Sequence, residues 1–156
     1  MVTIHLFKFL YIKILIYRVS KYSYSNHIIM SHFSRIKTTI RNKDILELTL
    51  HELGFNCISY KQLIQDANGN KQYVDLIARK NNLDLLGFIW NGNEYSLITD
   101  LYFWSNNTSI ENFIETMLQK YALNSVTTAS IEEGFQKVKE ETTCDGSIKI
   151  TLQRWH

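Results

Sequence analysis

The sequence predicts an α+β fold, a mostly antiparallel sheet with two or three helices packed on one face. The first observation is that three pairs of strand-like segments flank turns that contain Asn68-Gly69, Asn91-Gly92 and Asp145-Gly146, which are typical hairpin signals. The second is a long stretch with apolar residues at helical spacing. The third is the order of the elements: strand, helix, four strands, one or two helices, two strands. That order is typical of helices layered on an antiparallel sheet.

The first two elements of this fold follow from alternation and from capping residues. Residues 31–40 alternate in a pattern that predicts an edge strand. Asn42 is a suitable N-cap for the helix that follows, and Gly54 is a suitable left-handed stop. Three leucines fall on one face of this helix: Leu46, Leu50 and Leu53.

Four antiparallel strands are expected next. Residues 57–64 and 72–78 flank the turn-forming segment 66–70, and residues 83–90 and 94–102 flank the second turn. Alternation in the second strand predicts two faces. One face has Val74, Leu76 and Ala78, and the other has Tyr73, Asp75, Ile77 and Arg79.

The remaining elements are predicted to be helical and then extended. Thr108 and Glu111 form a capping box that predicts a helix start. An amphipathic stripe follows, which should pack on the sheet: Ile110, Phe113, Ile114, Met117, Leu118 and Tyr121. Residues 124–133 are ambiguous and are interpreted as a short third helix that ends at Gly134. Residues 135–141 and 148–155 form the last hairpin.

The composition changes at Met30. Residues 1–29 carry four cations and no acid, whereas residues 30–156 carry 13 Lys and Arg against 15 Asp and Glu, a net charge of −2. Three interpretations of residues 1–29 stay open: a spurious or disordered extension, an organelle-targeting or membrane-touching segment, and a real structural element. We expect the first, with residues 30–156 as a single α+β domain. No membrane span is expected, because cations interrupt the apolar stretch.

Chemical motifs are sparse. Cys57 and Cys144 are the only cysteines and show no metal-ligand spacing, so neither a metal site nor a disulfide is predicted. No phosphate-binding loop or paired-carboxylate signature occurs, so no cofactor and no catalytic residue are assigned. The negative charge of residues 30–156 disfavours nucleic acid as a partner.

A contact surface is predicted where aromatic residues follow one another at a strand end. Consecutive residues of a strand point to opposite faces, so the rings that follow Leu101 cannot all be buried. Tyr, Trp and Arg are over-represented among binding anchors. The predicted contact surface therefore comprises Tyr102, Phe103, Trp104, Arg154 and Trp155.

Several short motifs carry a family resemblance. They are Met30-Ser31-His32-Phe33-Ser34, Leu53-Gly54-Phe55, Asp145-Gly146-Ser147 and Leu152-Gln153-Arg154-Trp155. Over residues 30–156 the chain resembles the hypothetical chloroplast open reading frame 35 family. The resemblance implies that the protein is encoded in a plastid or a cyanobacterium, and that residues 1–29 precede the family's usual start. It implies no activity, because that family is a domain of unknown function.

The function we expect is that of a small soluble binding, assembly or regulatory factor in the plastid stroma, with an unknown protein partner. Two alternatives stay open. One is an enzyme whose site is assembled from dispersed polar groups such as His32, Asp75 and Asp100. The other is a single-stranded RNA-binding module built on exposed aromatic rings.

Overall fold

The structure, a computed structural model, describes residues 2–6, 33–104 and 109–154. Within these ranges the helices are α1 (Lys43–Glu52), α2 (Ile110–Glu132) and a 3₁₀ helix (Leu101–Trp104). The strands are β1 (Val2–Leu6), β2 (Phe33–Lys37), β3 (Asn56–Ile58), β4 (Gln62–Gln65), β5 (Lys71–Val74), β6 (Leu76–Lys80), β7 (Leu83–Trp90), β8 (Tyr95–Asp100), β9 (Phe135–Thr142) and β10 (Ile148–Arg154).

The strands form three antiparallel sheets. The main sheet has five strands in the order β2-β8-β7-β6-β3, and a smaller one has the order β1-β10-β9. The third sheet is the two-stranded hairpin β4-β5. The α+β prediction is confirmed, and so are the hairpins β7-β8 and β9-β10.

Both helices pack on one face of the main sheet. Leu46 and Leu50 of α1 are fully buried there together with Ile114 and Met117 of α2 and Phe88 of β7. The Asn42 side chain accepts a hydrogen bond from the Ile45 amide at 3.1 Å, which confirms the predicted N-cap. This face is the larger part of the hydrophobic core.

Helix α2 is a single helix of 23 residues, so the prediction of a separate third helix over 124–133 is wrong. The weak helix propensity of Thr127 and Thr128 costs only a few tenths of a kcal/mol. Burial outweighs that cost, because Leu123 and the partly buried Val126 pack against the three-stranded sheet. The N-cap is Ser109, whose side chain accepts from the Asn112 amide at 3.1 Å. The predicted cap, Thr108, lies outside the described residues.

The strand pair predicted on either side of 66–70 is divided by a bend in each strand. At one bend the Asp75 amide donates to the carbonyl of Phe88 at 2.8 Å, and Asp75 Oδ2 accepts from the Trp90 amide at 2.8 Å. These bonds to β7 interrupt the alternation. Val74 therefore packs on the face opposite the helices, whereas Leu76 packs under them, and the prediction that both share one face is wrong.

The hairpin β4-β5 covers the second face of the main sheet. Its residues Ile64 and Val74 are buried against Ile77 and Ile98. The main sheet is thus covered by helices on one side and by this hairpin on the other.

Residues 2–6 pair with β10, from Val2 opposite Leu152 to Leu6 opposite Ile148. The domain boundary at Met30 stays a prediction, which a truncation tests below. Among the helices of the described ranges, none has the length and apolarity that a membrane span requires.

Candidate functional site

The segment that carries three aromatic residues of the predicted contact surface is not the strand end that the sequence predicts. Strand β8 ends at Asp100, and the next residues form the 3₁₀ helix rather than a strand end. The side chains of Tyr102 and Phe103, and the whole of Trp155, lie outside what the structure describes.

The two described side chains of that surface have different neighbours. Trp104 is half-buried; its ring centroid lies 4.8 Å from that of Phe113, and its Nε1 donates to Thr99 Oγ1 at 2.9 Å. Arg154 lies at the end of β10, with its guanidinium carbon 5.6 Å from the ring centroid of Phe135. Trp104 thus contacts the main core and Arg154 the three-stranded sheet. The predicted surface stays a prediction.

A second candidate is the outward side of β4-β5, here called the hairpin face. It comprises Lys61, Leu63, Lys71 and Tyr73, and the exposed Tyr60 lies just before β4. Leu63 and Tyr73 are cross-strand partners, 46% and 56% exposed, and Tyr60 is 64% exposed. Lys61 Nζ lies 5.5 Å from the Tyr73 ring centroid. An apolar and aromatic centre is thus flanked by two cations.

Alternation and a close approach to β7 hold this face outward. Ile64 and Val74 point inward and are buried. A Cβ atom at Gly87 of β7 would lie 2.6 Å from Val74 Cγ1 and 2.8 Å from Ile64 Cδ1. The hairpin therefore rests directly on the backbone of β7, and only glycine fits beneath it.

The turn of the hairpin is organised by Asp66, its one acidic residue between 60 and 74. Asp66 is buried; Oδ1 accepts from the amides of Asn68 at 3.0 Å and Asn70 at 2.8 Å, and Oδ2 accepts from Asn70 Nδ2 at 2.8 Å. The Ala67 amide donates to Asp100 Oδ2 at 3.1 Å, which ties the turn to β8. The acid is consequently turned away from the hairpin face.

The formal charge of the protein is unevenly distributed. Helix α1 and residues 109–133 carry seven acidic and two basic side chains. Around the hairpin β4-β5, basic side chains outnumber acidic ones. Lys61 and Lys71 belong to this region, and Arg35 and Lys37 of β2 lie by register on the face of the main sheet that the hairpin covers. The net charge of −2 over residues 30–156 therefore coexists with a cationic surface around the hairpin.

A groove of about 250 Å³ lies between α1, α2 and β9. Leu48, Leu123 and Ile131 supply its apolar lining. Ion pairs border it, Lys120 with Glu52 at 3.3 Å and Lys137 with Glu140 at 2.6 Å. The hydroxyl of Thr127, also in the lining, is buried and has no hydrogen-bond partner in the described part of the chain.

Of the three polar groups considered for catalysis, the structure describes Asp75 and Asp100. Asp75 and Asp100 each accept a hydrogen bond from a backbone amide of another segment, and His32 lies outside the described residues. Burial, and then the charge of Glu47, raise the pKa of Cys57 to about 11, so this thiol is protonated near neutral pH. Residues 2–6, 33–104 and 109–154 contain no group of three His, Cys, Asp or Glu side chains placed to hold a metal ion.

Sequence reasoning did not select Tyr60 or Leu63, although one signal was present. Residues 60–74 combine two tyrosines and two lysines with a single acid that lies in the turn. Only the division of the strands at Asp75 shows that this segment leaves the main sheet and presents one side outward.

Comparisons with known proteins give a consistent result. A family model described as "Protein of unknown function (DUF1257)" matches residues 49–151. The chain is 37% identical over 127 residues to "Uncharacterized protein ycf35" of Pyropia yezoensis, covering 81% of this chain and 99% of that protein. It is 38% identical over 127 residues to the protein of the same name in Cyanophora paradoxa, covering 81% and 98%. No solved structure matches the chain.

Proposed function

Because the chain belongs to the DUF1257 family and is homologous to the plastid ycf35 proteins, we propose that it is a plastid binding factor that docks a protein partner on the hairpin face. The location in the plastid rests on its relatives. The binding role rests on the surface described above.

The observation that carries this proposal is the pairing of Leu63 with Tyr73 in the exposed centre of the hairpin face. Single exposed apolar residues are normal on protein surfaces. An adjacent apolar and aromatic pair with cations at its rim has the composition of an interface, with an apolar centre and a polar edge. The pair also sits on a hairpin that is fixed to β7, so binding would require little ordering.

Binding of single-stranded RNA is a second candidate, since Tyr60 and Tyr73 are exposed rings near Lys61 and Lys71. Leu63 favours the protein partner. Its aliphatic side chain lies beside Tyr73 at the centre of the face, where a base-stacking surface would gain from a ring or a polar group.

The enzyme alternative has less support. Catalytic groups are expected to converge on a pocket with ionisable side chains free to act on a substrate. Asp75 and Asp100 instead bond to backbone amides in different parts of the fold.

Affinity capture from plastid stroma tests the proposal. The wild-type chain would be compared with a Leu63→Ser/Tyr73→Ser double variant and with Ile131→Ser, a matched loss of an exposed apolar side chain on the helix side. We expect a stromal protein to be retained by the wild type and by Ile131→Ser, and at least about tenfold less by the double variant, as for loss of central interface residues. Equal capture by all three proteins would contradict a role for the hairpin face.

A further inference from the structure

The edges of the sheets differ in how they are protected against pairing with another strand. Natural edge strands carry charges or bulges, or are very short. Strand β2 carries Arg35 and Lys37, and β3 has only three residues. Strand β9 carries Lys137 and Lys139 and has a register shift. Strand β4 consists of Gln62, Leu63, Ile64 and Gln65, with no charge and no register shift.

The backbone of β4 has two residues directed away from β5. The Asp66 amide donates to the carbonyl of Asn70 at 3.0 Å, which fixes this as a hydrogen-bonded pair. Hydrogen-bonded and non-hydrogen-bonded pairs alternate in an antiparallel ladder. Ile64 and Gln62 therefore bond to β5, and the N–H and C=O groups of Leu63 and Gln65 point to the outer edge of β4.

We propose that the partner of the hairpin face adds an extended, acidic segment to the outer edge of β4. Leu63 and Gln65 would supply the backbone hydrogen bonds of the added strand. Lys61, Leu63 and Gln65 share the outward side by alternation, so the segment would place carboxylates beside Lys61 and an apolar side chain beside Leu63. This inference rests on the proposed function and adds the conformation and charge of the partner.

Three short probes distinguish the possibilities: a capped octapeptide Glu-Thr-Val-Thr-Glu-Thr-Val-Thr, whose glutamates and valines share one side of an extended strand, its counterpart with lysine in place of glutamate, and an oligouridylate. The full chain would be titrated with each. We expect the acidic peptide to bind and the basic peptide not to bind. Binding should slow amide hydrogen exchange at Leu63 and Gln65, whose N–H groups gain partners, and should leave Ile64 unchanged.

Two substitutions test the geometry. Gln65→Pro removes an outward N–H and leaves the β4-β5 bonds in place, whereas the control Gln65→Ser keeps that N–H. We expect Gln65→Pro to raise the Kd of the acidic peptide about tenfold and Gln65→Ser to leave it nearly unchanged. Lys61→Glu/Lys71→Glu should abolish binding. Thermal unfolding of each variant shows whether the fold is retained.

Other outcomes overturn the inference. Binding of both peptides alike would remove the charge preference, and binding without slower exchange at Leu63 and Gln65 would exclude strand addition. Binding of oligouridylate alone would mark the face as a nucleic-acid site. If no probe binds while stromal capture still depends on Leu63 and Tyr73, the hairpin face binds a partner in another way, and only strand addition fails.

Discussion

The two hairpins β4-β5 and β9-β10 have similar turns and different surroundings. In each turn an aspartate accepts a hydrogen bond from the amide two residues on: Asp66 from Asn68 at 3.0 Å and Asp145 from Ser147 at 3.0 Å. Asp66 is buried, whereas Asp145 is exposed to solvent. Hydrogen bonds from Thr143 and Ser147 lower the pKa of Asp145.

The hairpin with the buried aspartate is also the more closely packed of the two. The hairpin β4-β5 rests on Gly87 with no room for a methyl group, and its outer edge is uncharged. In β9-β10, Ile150 and Leu152 are buried near Leu123 of α2, but the groove separates β9 from α1, and β9 carries charges. A turn signal therefore specifies a hairpin, and the packing beneath it and the charges along its edge decide whether it presents a binding surface.

Substitution of Gly87 should have the largest effect on stability, because it disrupts the close packing of β4-β5 on β7. We expect Gly87→Ala to lower the free energy of unfolding by about 2–3 kcal/mol, since its Cβ would overlap Val74 and Ile64. Chemical denaturation measures this change. In the background of Val74→Ala, which removes the nearest methyl group, Gly87→Ala should be less destabilising. Additive effects of the two substitutions would show that the contact is not tight.

Removal of the turn aspartates compares the hairpins directly. We expect Asp66→Ala to lower the free energy of unfolding by about 2–3 kcal/mol, because three hydrogen bonds to a buried carboxylate are lost. Asp145→Ala should have a clearly smaller effect, since water can replace the bonds of an exposed carboxylate. Denaturant midpoints for both variants would decide the point. Equal losses would mean that burial of the β4-β5 turn contributes little.

The sequence was sufficient to predict the hairpins β7-β8 and β9-β10, the first helix and the fold class, because their signals are local. The Asn42 cap and the apolar stripe of α2 need no knowledge of the rest of the chain. The sequence did not predict that α2 continues through Thr127 and Thr128. This continuation depends on packing against a sheet formed by residues later in the chain.

The candidate site was less predictable than the fold. Exposure of Leu63 and Tyr73 follows from the bend at Asp75, and that bend depends on hydrogen bonds to Phe88 and Trp90. Net charge was also a poor guide to the hairpin face, because the excess of acids lies on α1 and α2. Both errors have the same cause. Neither composition nor alternation shows which segments of the chain come into contact in the folded protein.

A gain in stability is expected from a substitution in α2, beside the groove next to β9. The buried hydroxyl of Thr127 has no partner in the described residues, unlike Ser125 and Ser130 of the same helix, which donate to carbonyls four residues earlier at 2.8 and 2.6 Å. Thr127→Val replaces this hydroxyl with a methyl group of similar shape, so we expect a gain of about 1 kcal/mol in the free energy of unfolding. Ser130→Ala is the matched control and should not stabilise. A loss for Thr127→Val would indicate that the hydroxyl is satisfied by water.

The smallest effect on stability is expected from removing residues 2–29. This truncation tests whether the hairpin β9-β10 needs a third strand beside it, whereas β4-β5 has none. Ile150 and Leu152 are already covered by α2, and β1 adds only five residues at one edge. We therefore expect the chain that begins at Met30 to melt at nearly the temperature of the full chain. A Thr3→Pro/Ile4→Pro variant, which disrupts β1 without shortening the chain, should behave in the same way. A fall of several degrees in both, equivalent to about 1 kcal/mol or more, would make β1 an integral strand. The three-stranded sheet would then depend on residues 2–6 for its stability, whereas β4-β5 is held by the main sheet beneath it.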